Sequence, residues 1–165
     1  MSGFSKDCVI RPATGADVPR LVELYNSNPE FLKSHLGVVR VDSDFIQGEL
    51  DEMAEAGYRS CVLTDKEGGR VAALCDYKPG DEIYLSLLML DGAGKGMGFG
   101  RRAYGHLEAA FRQAGARLVR IDVVEGYEGN VIGFWEKQGF LFQEHITLCW
   151  GGHSMRAQTM KKEFV

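Results

Sequence analysis

The chain of 165 residues has few cysteines, no cationic surplus and no long apolar run, and each absence removes a class of function. Its four cysteines, Cys8, Cys61, Cys75 and Cys149, stand far apart. None has the short spacing of a metal or redox pair and no secretory pattern precedes Cys8, so reduced thiols in a cytoplasmic setting are expected. His35, His106, His145 and His153 form no ligand motif, which leaves no metal site to propose. Lys and Arg total 19 against 23 Asp and Glu, a net charge of −4. A nucleic-acid surface needs the opposite balance, whereas a cationic amine is tolerated. The longest apolar stretch is far too short to span a bilayer, and internal repeats, low-complexity tracts and linkers are missing. What remains, 45% hydrophobic and 25% charged, suits one globular domain over residues 1–165.

Against this background the segment Lys95-Gly96-Met97-Gly98-Phe99-Gly100-Arg101-Arg102-Ala103 stands out. Ile83 to Leu90 before it is an apolar run of strand length. After it, Ala103, Tyr104, Leu107, Ala110, Phe111 and Ala114 recur at helical spacing until Gly115. A loop stripped of side chains at a helix start leaves backbone N–H groups bare at the positive end of the helix dipole, which suits phosphate. Spacing excludes two phosphate loops. The glycines at 92, 94, 96, 98 and 100 are all even, so none form the 0, 2, 5 triple of a dinucleotide fingerprint. Gly94-Lys95 has Met89 five residues before its glycine and no Ser or Thr after its lysine, so it is not the loop of NTPases.

Lys95-Gly96-Met97-Gly98-Phe99-Gly100 resembles the signature of the GNAT superfamily of acyl-CoA-dependent N-acyltransferases: Arg or Gln, two residues, Gly, one residue, then Gly or Ala. Lys95 replaces the usual Arg or Gln, keeping the charge but losing a planar donor group. Phe134-Trp135-Glu136-Lys137-Gln138-Gly139-Phe140 is similar to the family's later Phe-Tyr (or Phe-Trp), Glu-Lys, Gly-Phe segment, and Ile10-Arg11-Pro12-Ala13-Thr14 with Asp17 to its opening. The resemblance implies an α/β (α+β) fold. Its mostly antiparallel, twisted sheet would have about seven strands, splayed into a V-shaped acetyl-CoA cleft, with about four flanking helices. It further implies that N–H groups from about Lys95 to Arg101 bind the pyrophosphate of coenzyme A. Homodimers are common among such proteins.

The coarse pattern fits that fold. Cys8 to Arg11 reads as a strand; Thr14 or Asp17 caps a helix carrying Val18, Leu21, Val22 and Tyr25 on one face, and Asn28-Pro29 breaks it. A second helical stretch runs to about Leu36 and a third over 42–56. Arg59 to Thr64 and Arg70 to Tyr77 form a hairpin around residues 65–69. Leu118 to Val124, a helix from about Asn130, Phe140 to His145 and a strand near Arg156 to Glu163 complete the order.

Attack of a neutral amine on an acetyl thioester needs a base or a lowered amine pKa. Asp122, between Ile121 and Val123, is a candidate base, since some family members carry a catalytic Glu on that face; a structural Asp is the alternative. A main-chain N–H near Met89 or Leu90 is implied as the donor to the carbonyl oxygen. The family's general-acid Tyr corresponds to Trp135, whose indole cannot serve, so Tyr127, Tyr84 or solvent would take the role. Trp135 would pack against pantetheine or core, and Asn130, two residues late for the family's Asn, would contact the cofactor or cap a helix. The expected activity is acetyl transfer from acetyl-CoA to a small-molecule or peptide amine, without a cysteine nucleophile, a metal, nucleic acid or membrane. A non-catalytic acyl-CoA-binding domain is the alternative. The acceptor would be set by loops 26–41 and 125–130.

Overall fold

A computed structural model describes residues 8–66, 69–150 and 152–165. Seven strands, β1 (Val9–Pro12), β2 (Arg59–Thr64), β3 (Val71–Lys78), β4 (Glu82–Leu90), β5 (Leu118–Val124), β6 (Leu141–Trp150) and β7 (His153–Glu163), form one open sheet in the order β1-β2-β3-β4-β5-β7-β6. All neighbours are antiparallel except β4 and β5. Among the described residues five helices flank the sheet: α1 (Val18–Asn26), α2 (Pro29–Phe31, prolonged by a π-helical turn Leu32–Leu36), α3 (Ser43–Glu55), α4 (Phe99–Gln113) and α5 (Ile132–Lys137). A parallel pair needs a crossover, and α4 supplies it between β4 and β5. Among the described residues no helix is long and apolar enough to cross a membrane. Of the expected hairpin loop, Glu67 and Gly68 lie outside the described residues.

Local sequence accounts for the helix starts. The chain enters α1 through a turn at Gly15–Asp17 that Thr14 begins. Buried Asp17 accepts from both terminal nitrogens of Arg11, at 2.9 and 2.8 Å, and from the Thr14 amide at 2.8 Å. The Arg11 bonds hold its carboxyl below the usual carboxylate range. Asp42 caps α3, accepting from the Phe45 N–H at 2.9 Å.

Both faces of the sheet are covered. One sets Leu63, Ala73, Cys75, Ile83, Leu85, Val119 and Ile121 against Ala103, Tyr104, Leu107 and Phe111 of α4. The other sets Val62, Leu74, Leu87 and Met89 against Leu21, Leu24 and Tyr25 of α1 and Ile46 of α3. Leu85 and Leu87 would share a face in a regular strand. They do not, because β4 carries an extra residue: Tyr77 pairs with Leu85 and Asp76 with Leu87, leaving Ser86 as a bulge. The parallel pairing of β4 with β5 covers Glu82–Leu85 against Leu118–Ile121 and stops there. Beyond Ser86 the two strands part.

The last hairpin is longer than the expected Phe140–His145 and Arg156–Glu163. Ile146, Leu148 and Trp150 alternate as the partly buried side of β6 and pack on Val124, Met155 and Ala157. All four cysteines are free, and the β2–β3 register sets Cys61 opposite Cys75.

Asp76 is a buried carboxyl of this framework with no cationic hydrogen-bond partner among the described residues. It is 4% exposed, accepts from Ser60 Oγ at 2.5 Å and lies among Tyr25 of α1 and Glu49 of α3. Burial raises its pKa from 3.8 to about 6. A raised folded value favours the protonated form, so its contribution to stability is complete below about pH 4 and is lost as pH rises through about 6. Asp76→Asn keeps an oxygen for Ser60. In paired thermal melts it is expected to change Tm little at pH 4 and to raise it by roughly 3–6 °C at pH 8; equal shifts at both pH values would contradict this.

Candidate active site

Where β4 leaves β5 a cleft of about 610 Å³ opens. One wall is the splayed half of β4. The Asp91 N–H bonds to the Ala72 carbonyl at 3.2 Å, and antiparallel alternation then turns the Met89 N–H to β3 as well. The N–H groups of Leu88 and Leu90 therefore face the gap. Of the two positions expected, Met89 turns its N–H into the sheet and Leu90 turns it to the gap, as does Leu88. The bulge at Ser86, which sets this phase at the fork, leaves no mark in an apolar run.

The glycine loop forms the adjoining wall. Asp91 accepts from the Ala93 N–H at 3.0 Å to start a turn over Gly92–Gly94 and is held by Arg20 at 2.6 Å. Gly94 is buried beneath the Phe99 ring, where a Cβ would collide with it. Gly96 and Gly98 have φ of +81° and +76°, so the loop reaches α4 through backbone that side chains rarely adopt. The N–H groups of Lys95 and Met97 bond back to Gly92 and Gly94. Those of Gly98, Gly100 and Arg101 find no protein acceptor among the described residues. They lie at the start of a 15-residue helix, beside the exposed cations Lys95 and Arg101, in an arrangement that fits a phosphate group. Met97 is 46% exposed and off the cleft wall.

The expected catalytic residues separate. Tyr84 is not on the cleft wall; its hydroxyl donates to Asp122 Oδ2 at 2.7 Å, and burial and that bond push the phenol far above its usual range. A general-acid role for Tyr84 does not fit this placement. Asp122 borders the fork, but its side chain is only 4% exposed. Its oxygens also accept from Thr159 Oγ1 at 2.7 Å and from Arg120 at 3.1 and 3.3 Å, which suits a structural anion joining β4, β5 and β7 better than a free base. Tyr127 does border the cleft, with burial raising its phenol. Asn130 lies off the wall. Its Nδ2 donates to the Tyr127 carbonyl at 2.9 Å and its Oδ1 accepts from the Ile132 N–H at 3.2 Å, a capping role in place of a cofactor contact. Trp135 is 7% exposed, edge-on to Tyr104, Phe134 and Phe140, with part of it on the cleft wall.

The sequence matches the model of the acetyltransferase (GNAT) family over residues 19–140. The chain belongs to the GNAT acetyltransferase family. No curated protein matches it. Solved structures share its fold. An acetyltransferase from Thermus thermophilus gives a TM-score of 0.74 at 20% identity, over 95% of this chain and 97% of that one. Spermidine N-acetyltransferase from Vibrio cholerae, solved with CoA and spermine, gives 0.72 and 14%, over 96% of both chains. The Salmonella typhimurium protein yncA, solved with acetyl-CoA, gives 0.62 and 20%, over 95% of this chain and 94% of that one.

In this GNAT domain the far wall comes from the turn after α1, from α2 with its π-helical turn and from the loop after β5. Asn28, Pro29, Glu30, Phe31, His35 and Tyr127 all border the cleft. They come from the segments 26–41 and 125–130. His35 was not legible there: it has no motif, and only the π-helical turn, ended by Gly37 at φ +68°, brings its ring to the wall. Three bonds tie this side to the glycine loop and the end of β4: Arg20 to Asp91, Asn28 Nδ2 to the Leu90 carbonyl at 2.8 Å, and the Gly92 N–H to Ser27 Oγ at 2.9 Å.

Proposed function

We propose that the protein is an N-acetyltransferase that moves the acetyl group of acetyl-CoA to a primary amine by direct attack, with both substrates in the cleft together. The observation that carries this reading is that two sets of unused amides, Leu88 with Leu90 and Gly98 with Gly100 and Arg101, border one cleft at the fork of β4 and β5. Acetyl-CoA would supply an activated thioester. Gly98, Gly100 and Arg101, with Lys95, would hold its diphosphate through backbone N–H groups and positive charge. The N–H of Leu88 or Leu90 would donate to the carbonyl oxygen as negative charge develops there.

The amine must attack unprotonated. With the Asp122 carboxylate filled by three partners, the reading favours a lowered amine pKa: desolvation against a largely apolar wall disfavours ammonium, and the proton leaves to solvent. Tyr127 borders the cleft and can donate a hydrogen bond to the leaving sulfur, although a thiol with pKa near 8.5 departs without a strong acid. No cysteine borders the cleft among the described residues, in keeping with transfer that forms no acyl-enzyme.

The test is calorimetric titration with acetyl-CoA, followed by thiol-release assays across amines. Saturable binding at or below roughly 1 mM and amine-dependent thiol release are expected. Binding with no release for any amine would favour a non-catalytic acyl-CoA sensor. No binding would overturn both.

A further inference from the structure

The far wall carries two hydrogen-bond acceptors whose orientation is fixed by the backbone. Asn28 commits its Nδ2 to the carbonyls of Leu24 at 2.9 Å and Leu90 at 2.8 Å. Carbonyls only accept, so the amide nitrogen is identified by its partners and Oδ1 is the other end. Oδ1 has no protein partner among the described residues. Nδ1 of His35 lies 3.1 Å from the Phe31 carbonyl and 2.7 Å from Ser34 Oγ. Taking the carbonyl contact as a hydrogen bond assigns the proton to Nδ1, with Ser34 Oγ accepting from it or donating to the same carbonyl at 3.3 Å, and leaves Nε2 its lone pair. Burial holds the ring's pKa down to about 4, so it is an uncharged acceptor at neutral pH.

The His35 ring is also clamped. It stacks on Phe31, with centroids 4.0 Å apart and planes at 21°, and meets Tyr127 and Trp150 edge-on at 5.7 and 6.2 Å. Phe31 and Trp150 are edge-on at 5.6 Å. The wall thus pairs fixed acceptors with a rigid aromatic surface. Among its cleft-bordering residues, Glu30 is the sole charged side chain. A neighbouring hollow beyond Tyr127 holds Lys33, Glu125, Glu128 and Arg156. There Glu125 is bound by Arg156 at 2.9 Å and His145 at 3.1 Å.

We infer that Asn28 and His35 receive the N–H groups of the acceptor amine, while Phe31 and Tyr127 take its apolar, by preference aromatic, arm. The inference rests on the N-acetyltransferase reading and names the substrate class of that site. A polyamine needs further carboxylates at set spacings and an acidic amino acid needs a cation; the far wall offers one carboxylate, no cation and an aromatic face.

Calorimetry on the CoA-saturated protein tests this with phenethylamine, spermidine and glutamate. Phenethylamine is expected to bind at least tenfold more tightly than the others. His35→Phe keeps the stacked ring and loses the acceptor; it should weaken phenethylamine binding at least tenfold while CoA affinity stays within twofold, which also reports that the variant is folded. His35→Gln, with a carbonyl oxygen reaching toward the Nε2 position, should recover part of the loss. Unchanged amine affinity in His35→Phe, or tighter binding of spermidine or glutamate, would overturn the assignment. CoA binding with no amine binding would overturn it while sparing the cofactor site. Failure of CoA to bind would overturn the N-acetyltransferase reading itself and this assignment with it.

Discussion

Gly98→Val should lose at least 100-fold in coenzyme A affinity, about 2.7 kcal/mol, while remaining folded. Two effects combine at this position. Gly98 caps α4 with φ +76°, so any Cβ adds strain of about 1–2 kcal/mol. That strain alone would lower Tm by only roughly 2–8 °C. The larger effect is local: a branched side chain would stand beside the unused N–H groups of Gly100 and Arg101 and occupy the space a phosphate needs. Gly115→Ala separates the two effects. Gly115 follows α4 at its other end with φ +90°, and a methyl group there would meet no heavy atom within 4 Å, so its replacement imposes similar strain without touching the loop. Calorimetric titration should find normal CoA affinity in Gly115→Ala and none measurable in Gly98→Val. Equal affinities in both would mean that the loop does not hold the diphosphate.

Asp122→Ala should cost about 2–4 kcal/mol of stability, because two largely buried hydroxyls lose their acceptor while Arg120, 36% exposed, can still reach water. At about 2–4 °C per kcal/mol for a chain of this size, Tm falls by roughly 4–16 °C. The mechanism is loss of a shared acceptor: the Tyr84 hydroxyl, Thr159 hydroxyl and Arg120 guanidinium would be left facing one another. Because these groups come from β4, β7 and β5, the fork itself should loosen. Thermal melts read the loss directly. Activity decides between a structural anion and a base: Asp122→Asn should keep much of its kcat below its lowered Tm. A large loss of kcat without a loss of stability would make Asp122 the base after all.

Much of the framework could be read from residue order. The apolar runs at Ile83–Leu90 and Leu118–Val124 marked the two strands that part, and the amphipathic spacing from Ala103 marked the crossover helix between them. The glycines marked the loop because bare backbone requires them. The Ser86 bulge was not readable, since one extra residue inside a continuous apolar run alters no pattern that a single sequence displays. Asn28 looked like a helix breaker, yet its amide fastens the carbonyl of Leu90, 62 positions away. His35 lacked any motif because its tautomer and stacking depend on a turn whose winding the sequence does not announce. Asp122 was rightly placed in a strand, but the hydroxyls that fill its oxygens, those of Tyr84 and Thr159, come from 38 and 37 positions away. Tertiary partners, rather than local propensity, decided each of these.

The three bonds to Leu90, Asp91 and Gly92 come from Arg20, Asn28 and Ser27, and the helical stretch of the far wall, Pro29 to His35, lies just past them. Mutational drift in the stretch beyond Asn28 can therefore reshape that wall without loosening the glycine loop, a division that lets one scaffold acquire a new lining by exchanging a short, separable segment.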